Sequence, residues 1–174
     1  FSGAYRRRQE AIRNCVACVG DICRYMKVAI VLGKVASKYD KFVGVDISPA
    51  SIALIDSIVK DVLPDRRKDL DLFEMDFLGK SGLDGHFDAI VMGEVLEHVE
   101  KPGAFLHRIA ELAAPSAHIF ITTCINAPAV DHIFLFRTAG EIEGLFSEAG
   151  LTIRDHIHVP HPGYNLKRCI ALNL

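Results

Sequence analysis

A chain of 174 residues, 50% hydrophobic and 24% charged, suits one globular domain that buries its core without disulfide or metal staples. Its formal net charge of −2 supplies no electropositive field for nucleic acid, and no apolar run approaches the ~20 residues needed to span a bilayer. The 5 cysteines, an odd number in a core-forming chain, point to thiols in a reducing compartment; with no secretory pattern at the start, the expected location is cytoplasmic.

Residues 4–26 carry Ile12, Cys15, Val16, Val19, Ile22, Cys23 and Met26 at steps of three and one, which predicts an amphipathic helix. Cys15-x-x-Cys18 with Cys23 has no fourth ligand at zinc-ribbon spacing, so these read as core thiols and no metal is expected there. Residues 28–31 read as a short strand and 33–40 as a helix. Lys41-Phe-Val-Gly-Val-Asp46 is a second buried strand, after which Ser48 and Pro49 supply an N-cap and a first-turn proline. The helix they open stops at Pro64. A third strand spans 70–77. Residues 87–92, Phe-Asp-Ala-Ile-Val-Met, form a nearly continuous apolar run and hence a strand buried on both faces. A helix follows over 101–114, a fifth strand over 117–123 and a helix from Thr138 to Gly150. Strands at 151–159 and 166–174 close the chain as an antiparallel hairpin. This alternation predicts an α/β doubly wound, mostly parallel sheet with helices on both faces.

Open α/β sheets bind ligands at the carboxyl ends of their strands, and three successive strands here end on an acid. Asp46 closes the second strand, where a carboxylate accepts hydrogen bonds from ribose hydroxyls; a helix-cap aspartate is the plain alternative. Asp76 follows the third strand, with Phe77 offering apolar surface to a ring. Gly93-Glu94 follows the fourth.

Lys-Phe-Val-Gly-Val-Asp-Ile-Ser (41–48), Asp76-Phe77 and above all Phe-Asp-Ala-Ile-Val-Met-Gly-Glu-Val-Leu-Glu-His-Val (87–99) resemble class I S-adenosylmethionine-dependent methyltransferases. The resemblance implies a Rossmann-like sheet of seven strands, the last antiparallel, over 27–174, with 1–26 as a helical cap on the substrate side. It places the cofactor S-adenosylmethionine against Asp46 and Ile47 at the ribose, Asp76 and Phe77 at the adenine, and Gly93, Glu94 and His98 near the methionine end. The family's Gly-x-Gly turn after the first strand is missing, and the interval from Val28 to Asp46 is too short for strand, turn, helix and strand. Either the loop and cofactor are both lost, or a glycine-rich loop is absent from within 27–34; the intact remaining positions favour the second.

His132, beside Asp131 in an apolar loop on the ligand edge, is a candidate general base or a backbone anchor, and Glu94 is the second candidate base. His98 reads as ordering its turn. His156, His158 and His161 lie on the far hairpin, where no metal is expected. The function these residues predict is methyl transfer to a small-molecule or carrier-bound acceptor, with no nucleic-acid or membrane partner. The alternative is a non-catalytic partner subunit that lacks the cofactor loop.

Overall fold

The computed structural model describes residues 14–19, 39–79, 83 and 86–158. Within them, five strands form one parallel sheet: β1 (Asn14–Val19), β2 (Lys41–Asp46), β3 (Leu70–Glu74), β4 (Phe87–Gly93) and β5 (Ala113–Thr122). Their order is β3-β2-β1-β4-β5. Helix α1 (Pro49–Val62) joins β2 to β3, α2 (Pro102–Leu112) joins β4 to β5, and α3 (Ala139–Glu148) follows β5. Short 3₁₀ turns occupy Pro64–Asp69 and Leu96–His98.

The central strand β1 corrects the helix expected over 4–26. It pairs with β2 from Asn14↔Lys41 to Cys18↔Val45, and with β4 from Cys15↔Ala89 to Val19↔Gly93. The run Cys15-Val16-Ala17-Cys18-Val19 is continuously apolar, and periodicity alone does not separate such a run from a helix. The α/β unit therefore starts no later than Asn14, rather than at residue 27. Residues 20–40 now stand between the first and second strands, which removes the shortage of chain that suggested an omitted loop. Residues 27–34, with the strand expected at 28–31, lie outside the described residues.

The other elements fall close to their predicted places. The Ser48 hydroxyl accepts a hydrogen bond from Ser51 N–H and Pro49 opens α1, as expected of an N-cap and first-turn proline. Thr138 caps α3 in the same way, accepting from Glu141 N–H, and Gly150 ends it at φ 74°, the left-handed conformation glycine adopts without strain. Two expectations shift. β5 begins at Ala113, directly after α2, rather than at 117. Residues 151–158 form no strand, and 159–174 lie outside the described residues, so the expected closing hairpin is not part of the sheet described.

Helices cover both faces of the sheet. On one, Ile55 and Val59 of α1 pack with Tyr39, Phe42, Leu70 and Ala89. On the other, Leu106, Ile109 and Leu112 of α2 pack with Val45, Ile90, Met92, Leu96 and Phe136. Successive residues of β4, Ala89 against Ile90, thus enter opposite cores, the period-two signature of a two-sided strand. Gly44 of β2 is required by packing, since a Cβ there would lie 2.6 Å from Leu72 Cδ2.

Candidate active site

Because all five strands are parallel, their carboxyl ends share one edge. The chain runs from β1 outward through β2 to β3, then returns to the other side of β1 for β4 and β5. The direction reverses between β1 and β4, and a crevice opens at such a reversal. Along this edge, in spatial order, stand Asp76 after β3, Asp46 ending β2, the end of β1, Gly93 and Glu94 at β4, and Thr122 and Thr123 at β5. Asp46 and Gly93 flank β1, two strand spacings apart, about 10 Å.

On the β2–β3 side the acids make local turns. Asp46 is buried, and its Oδ1 accepts from Ser48 N–H at 2.8 Å, which leads the chain into α1. Asp46 is thus not the cap of α1, a place Ser48 takes, but makes the turn that leads into it. Asp76 is exposed, and its Oδ1 accepts from Leu78 N–H at 3.0 Å. Ile47 stands beside Asp46 with 74% of its surface exposed, which is unusual for a large apolar side chain. Phe77 does not offer its ring to this edge as expected. It is 5% exposed and stacks on Phe105 of α2 at 5.6 Å between centroids, inside the core.

The β4–β5 side is built from contacts between distant segments. Glu94 takes φ 54°, a left-handed conformation costly for a residue with a side chain, and its N–H donates to Thr122 O at 2.8 Å. Glu97 is almost fully buried, and its Oε2 accepts from the Thr123 hydroxyl at 2.9 Å. Desolvation pushes the Glu97 carboxyl above its ordinary range; the Thr123 hydrogen bond works in the opposite direction, and the nearby Glu94 adds to the rise. The Glu97 carbonyl accepts from Phe134 N–H at 2.9 Å, and His98 Nδ1 donates to Asp131 O at 2.9 Å.

These bonds tie the Leu96–His98 turn to the loop at 124–136. That loop is closed at its base by Asn126 N–H on Phe136 O, at 2.8 Å. His132 lies inside it, its ring edge-on to His98 with centroids 4.9 Å apart. A carbonyl only accepts, so the 2.5 Å contact between His132 Nδ1 and Ala127 O places the proton on Nδ1. The lone pair of the neutral ring then sits on Nε2. The loop also exposes Val130 and Ile133.

The structure thus brings His98 and His132 together, sets Glu94 near Glu97, and places Asp46, Ile47 and Asp76 further along the same edge. Sequence reasoning missed Glu97, Thr123 and Cys124 as members of this cluster. The signal for Glu97 was a carboxylate within a buried apolar turn, Val95-Leu96-Glu97, where an acid is costly unless it has a task. Cys124 Sγ lies 3.6 Å from His132 Nδ1, a contact between residues eight apart that no local pattern announces.

An α/β domain with its sites at the strand ends of a reversal point has the architecture of Rossmann-like enzymes, and comparison with known proteins narrows this. A family model described as a methyltransferase domain matches residues 20–156. The chain belongs to that family, the class I S-adenosylmethionine-dependent methyltransferases. The ubiquinone biosynthesis O-methyltransferase of Pseudoalteromonas translucida (strain TAC 125) is 43% identical over 42 residues, which are 24% of this chain and 18% of that relative. The [4+2]-cyclase SpnF shares the fold with a TM-score of 0.67 at 14% identity, over 84% of this chain and 53% of its own. The N-methyltransferase NodS of Bradyrhizobium japonicum WM9 does so with a TM-score of 0.59 at 16% identity, over 84% of this chain and 83% of its own. The chain thus spans about half of SpnF and matches under a fifth of the O-methyltransferase. Among the described residues, no helix is long and apolar enough to cross a membrane.

Proposed function

We propose that this chain transfers a methyl group from S-adenosylmethionine to a small-molecule or carrier-bound acceptor. The observation that carries the reading is the row of strand-end residues, Asp76, Asp46, Gly93 and Glu94, standing in spatial order on both sides of the reversal point. Their chemistry suits the cofactor. The Asp46 carboxylate would take the ribose hydroxyls, Asp76 the adenine amine, and the exposed Ile47, rather than the buried Phe77, would lie against the adenine ring. Gly93 and the strained Glu94 would border the methionine end. The PKMT2 protein of Rickettsia typhi, structurally similar at a TM-score of 0.50 over 63% of this chain, is in complex with AdoHcy.

When bound, S-adenosylmethionine supplies an electrophilic methyl group, and the protein's part is alignment and proton removal. His132 holds its Nδ1 proton on Ala127 and presents Nε2 as the base for a hydroxyl or ammonium acceptor. Glu94 is the second candidate. His98, whose Nδ1 donates to Asp131 O, would order its turn beside the cofactor. The exposed Val130 and Ile133 beside His132 favour an acceptor with an apolar body. A closing strand over 166–174, which the sequence suggests, and a cytoplasmic location belong to this proposal too.

A non-catalytic partner subunit is the lesser reading, because its main support was the supposed gap before β2. The glycine to look for now follows β1 directly, at Gly20 in the sequence. Titration calorimetry with S-adenosylhomocysteine tests the proposal. Binding should fall about 10- to 100-fold in Asp46→Ala, the effect of losing a charged hydrogen-bond acceptor. A full-length protein that binds no S-adenosylhomocysteine overturns it.

A further inference from the structure

We infer that Glu97, Cys124 and His132 form a three-ligand site for zinc or a similar borderline divalent cation. The three residues come from the Leu96–His98 turn, the residue after Thr123, and the 124–136 loop, yet their ligand atoms all lie within 4.8 Å of one another. Cys124 is a thiol rather than half of a disulfide. Its Sγ is 3.6 Å from His132 Nδ1. Two ligands at the usual zinc–sulfur and zinc–nitrogen lengths, about 2.3 and 2.05 Å apart from a tetrahedral ion, stand about 3.6 Å from each other.

The surroundings favour a cation for a second reason. A carboxyl, a thiol and the Ala127 carbonyl converge here on His132 Nδ1, which offers a lone pair once its proton is displaced, and Glu97 is 1% exposed. The Thr123 hydroxyl on Glu97 Oε2 fixes that carboxylate from behind, as an outer partner of a metal ligand does. His98 Nε2 also lies 3.9 Å from Glu97 Oε1. Thiolate and imidazole together select zinc over magnesium or calcium. Three protein ligands leave a fourth position for water or a substrate atom.

Binding through Nδ1 replaces the proton now donated to Ala127, so the ring turns from that carbonyl, a proton is released, and affinity rises with pH. The Nε2 atom would then carry the ring's proton. If His132 is the catalytic base, a clause that rests on the proposed function, a metal-loaded site is inhibitory. The binding itself does not depend on that reading.

A second trio, His98, Asp131 and His132, shares the imidazole but has no sulfur and is more exposed. Cobalt titration of chelator-treated full chain separates the two. The expected result is one equivalent of Co²⁺ with a thiolate-to-cobalt charge-transfer band. This band persists when Cys15, Cys18, Cys23 and Cys169 are all changed to serine, and vanishes in Cys124→Ser. Affinity should fall at least about 10-fold in His132→Gln and in Glu97→Gln, the least that even an outer-shell loss costs. Should the fourfold variant fail to fold, the band of the native chain against Cys124→Ser alone decides, with circular dichroism confirming that Cys124→Ser is folded. A band that survives Cys124→Ser, absence of any band in the native chain, or cobalt bound without sulfur through Asp131 overturns the inference.

Discussion

The two halves of the strand-end edge are built in different ways. On the β2–β3 side, Asp46 and Asp76 each bond to a backbone N–H two residues ahead, at Ser48 and Leu78. On the β4–β5 side, Glu94 reaches Thr122, Glu97 reaches Thr123 and Phe134, and His98 reaches Asp131, all across 26 to 37 residues of chain. In the first half the side-chain bonds are turns within their own sequence, and Met75 N–H to Asp46 O at 3.0 Å continues the β2–β3 ladder. The second exists only when β4, β5 and the 124–136 loop are assembled. A site with one half preset by local turns and the other by tertiary contacts can hold a constant ligand on the first and vary the second.

Phe77 is the strongest place to break this comparison. It follows Asp76 in sequence and would belong with the local half if its ring served a ligand. Its stacking on Phe105 assigns it to the core instead. Phe77→Ala should cost about 3–5 kcal/mol of stability in urea unfolding, the usual range for a buried phenylalanine. A loss below about 1 kcal/mol with weakened cofactor binding would return the ring to the site.

The network half should show coupling where the local half shows none. Thr123→Val leaves the buried Glu97 Oε2 without its donor, at a cost of about 1–3 kcal/mol. Glu97→Leu removes the carboxylate itself, so in the double variant the two effects should fail to add by about 0.5–3 kcal/mol. Asp46→Asn with Asp76→Asn should add to within about 0.5 kcal/mol. Equal additivity in both cycles would erase the distinction between the halves.

The same division explains what could be read from the sequence. Among the described residues, four of the five strands, the three helices and the caps at Ser48 and Thr138 were legible, because apolar period, proline and short polar side chains act locally. So were the strand-end acids Asp46 and Asp76. β1 was not, since Asn14 to Val19 owes its strand state to ladders on both sides, and its apolar spacing suits either state. The burial of Phe77 and the meeting of Glu97, Thr123, Cys124 and His132 were hidden for the same reason. Each depends on where a second segment lands. His132 was singled out only because its neighbours made it conspicuous, and its Nδ1 bond to Ala127 O holds the ring to the backbone, leaving Nε2 as the atom that the proposed base role would use.

The smallest effect expected is also one in which the halves have opposite signs. Asp56, on α1 in the β2–β3 half, is held below its ordinary 3.8 by hydrogen bonds from Lys60 and Arg67. Its native carboxylate is favoured, so its contribution is present above pH 3.8 and is lost as pH falls through the lowered native value. Glu97 behaves in reverse. Burial raises its native pKa above 4.5, so as pH climbs past 4.5 the unfolded chain gives up this proton first and stability declines until the native value is passed. Urea unfolding measured across pH should therefore show an acid-side loss that Asp56→Asn removes, and a decline above pH 4.5 that Glu97→Gln removes. Glutamine keeps an acceptor for the Thr123 hydroxyl but has no proton to lose in this range, so the change in slope reports the buried charge rather than the hydrogen bond. If Glu97→Gln leaves the slope above pH 4.5 unaltered, the Glu97 carboxylate is solvated in the native protein and desolvation does not distinguish it from Asp56.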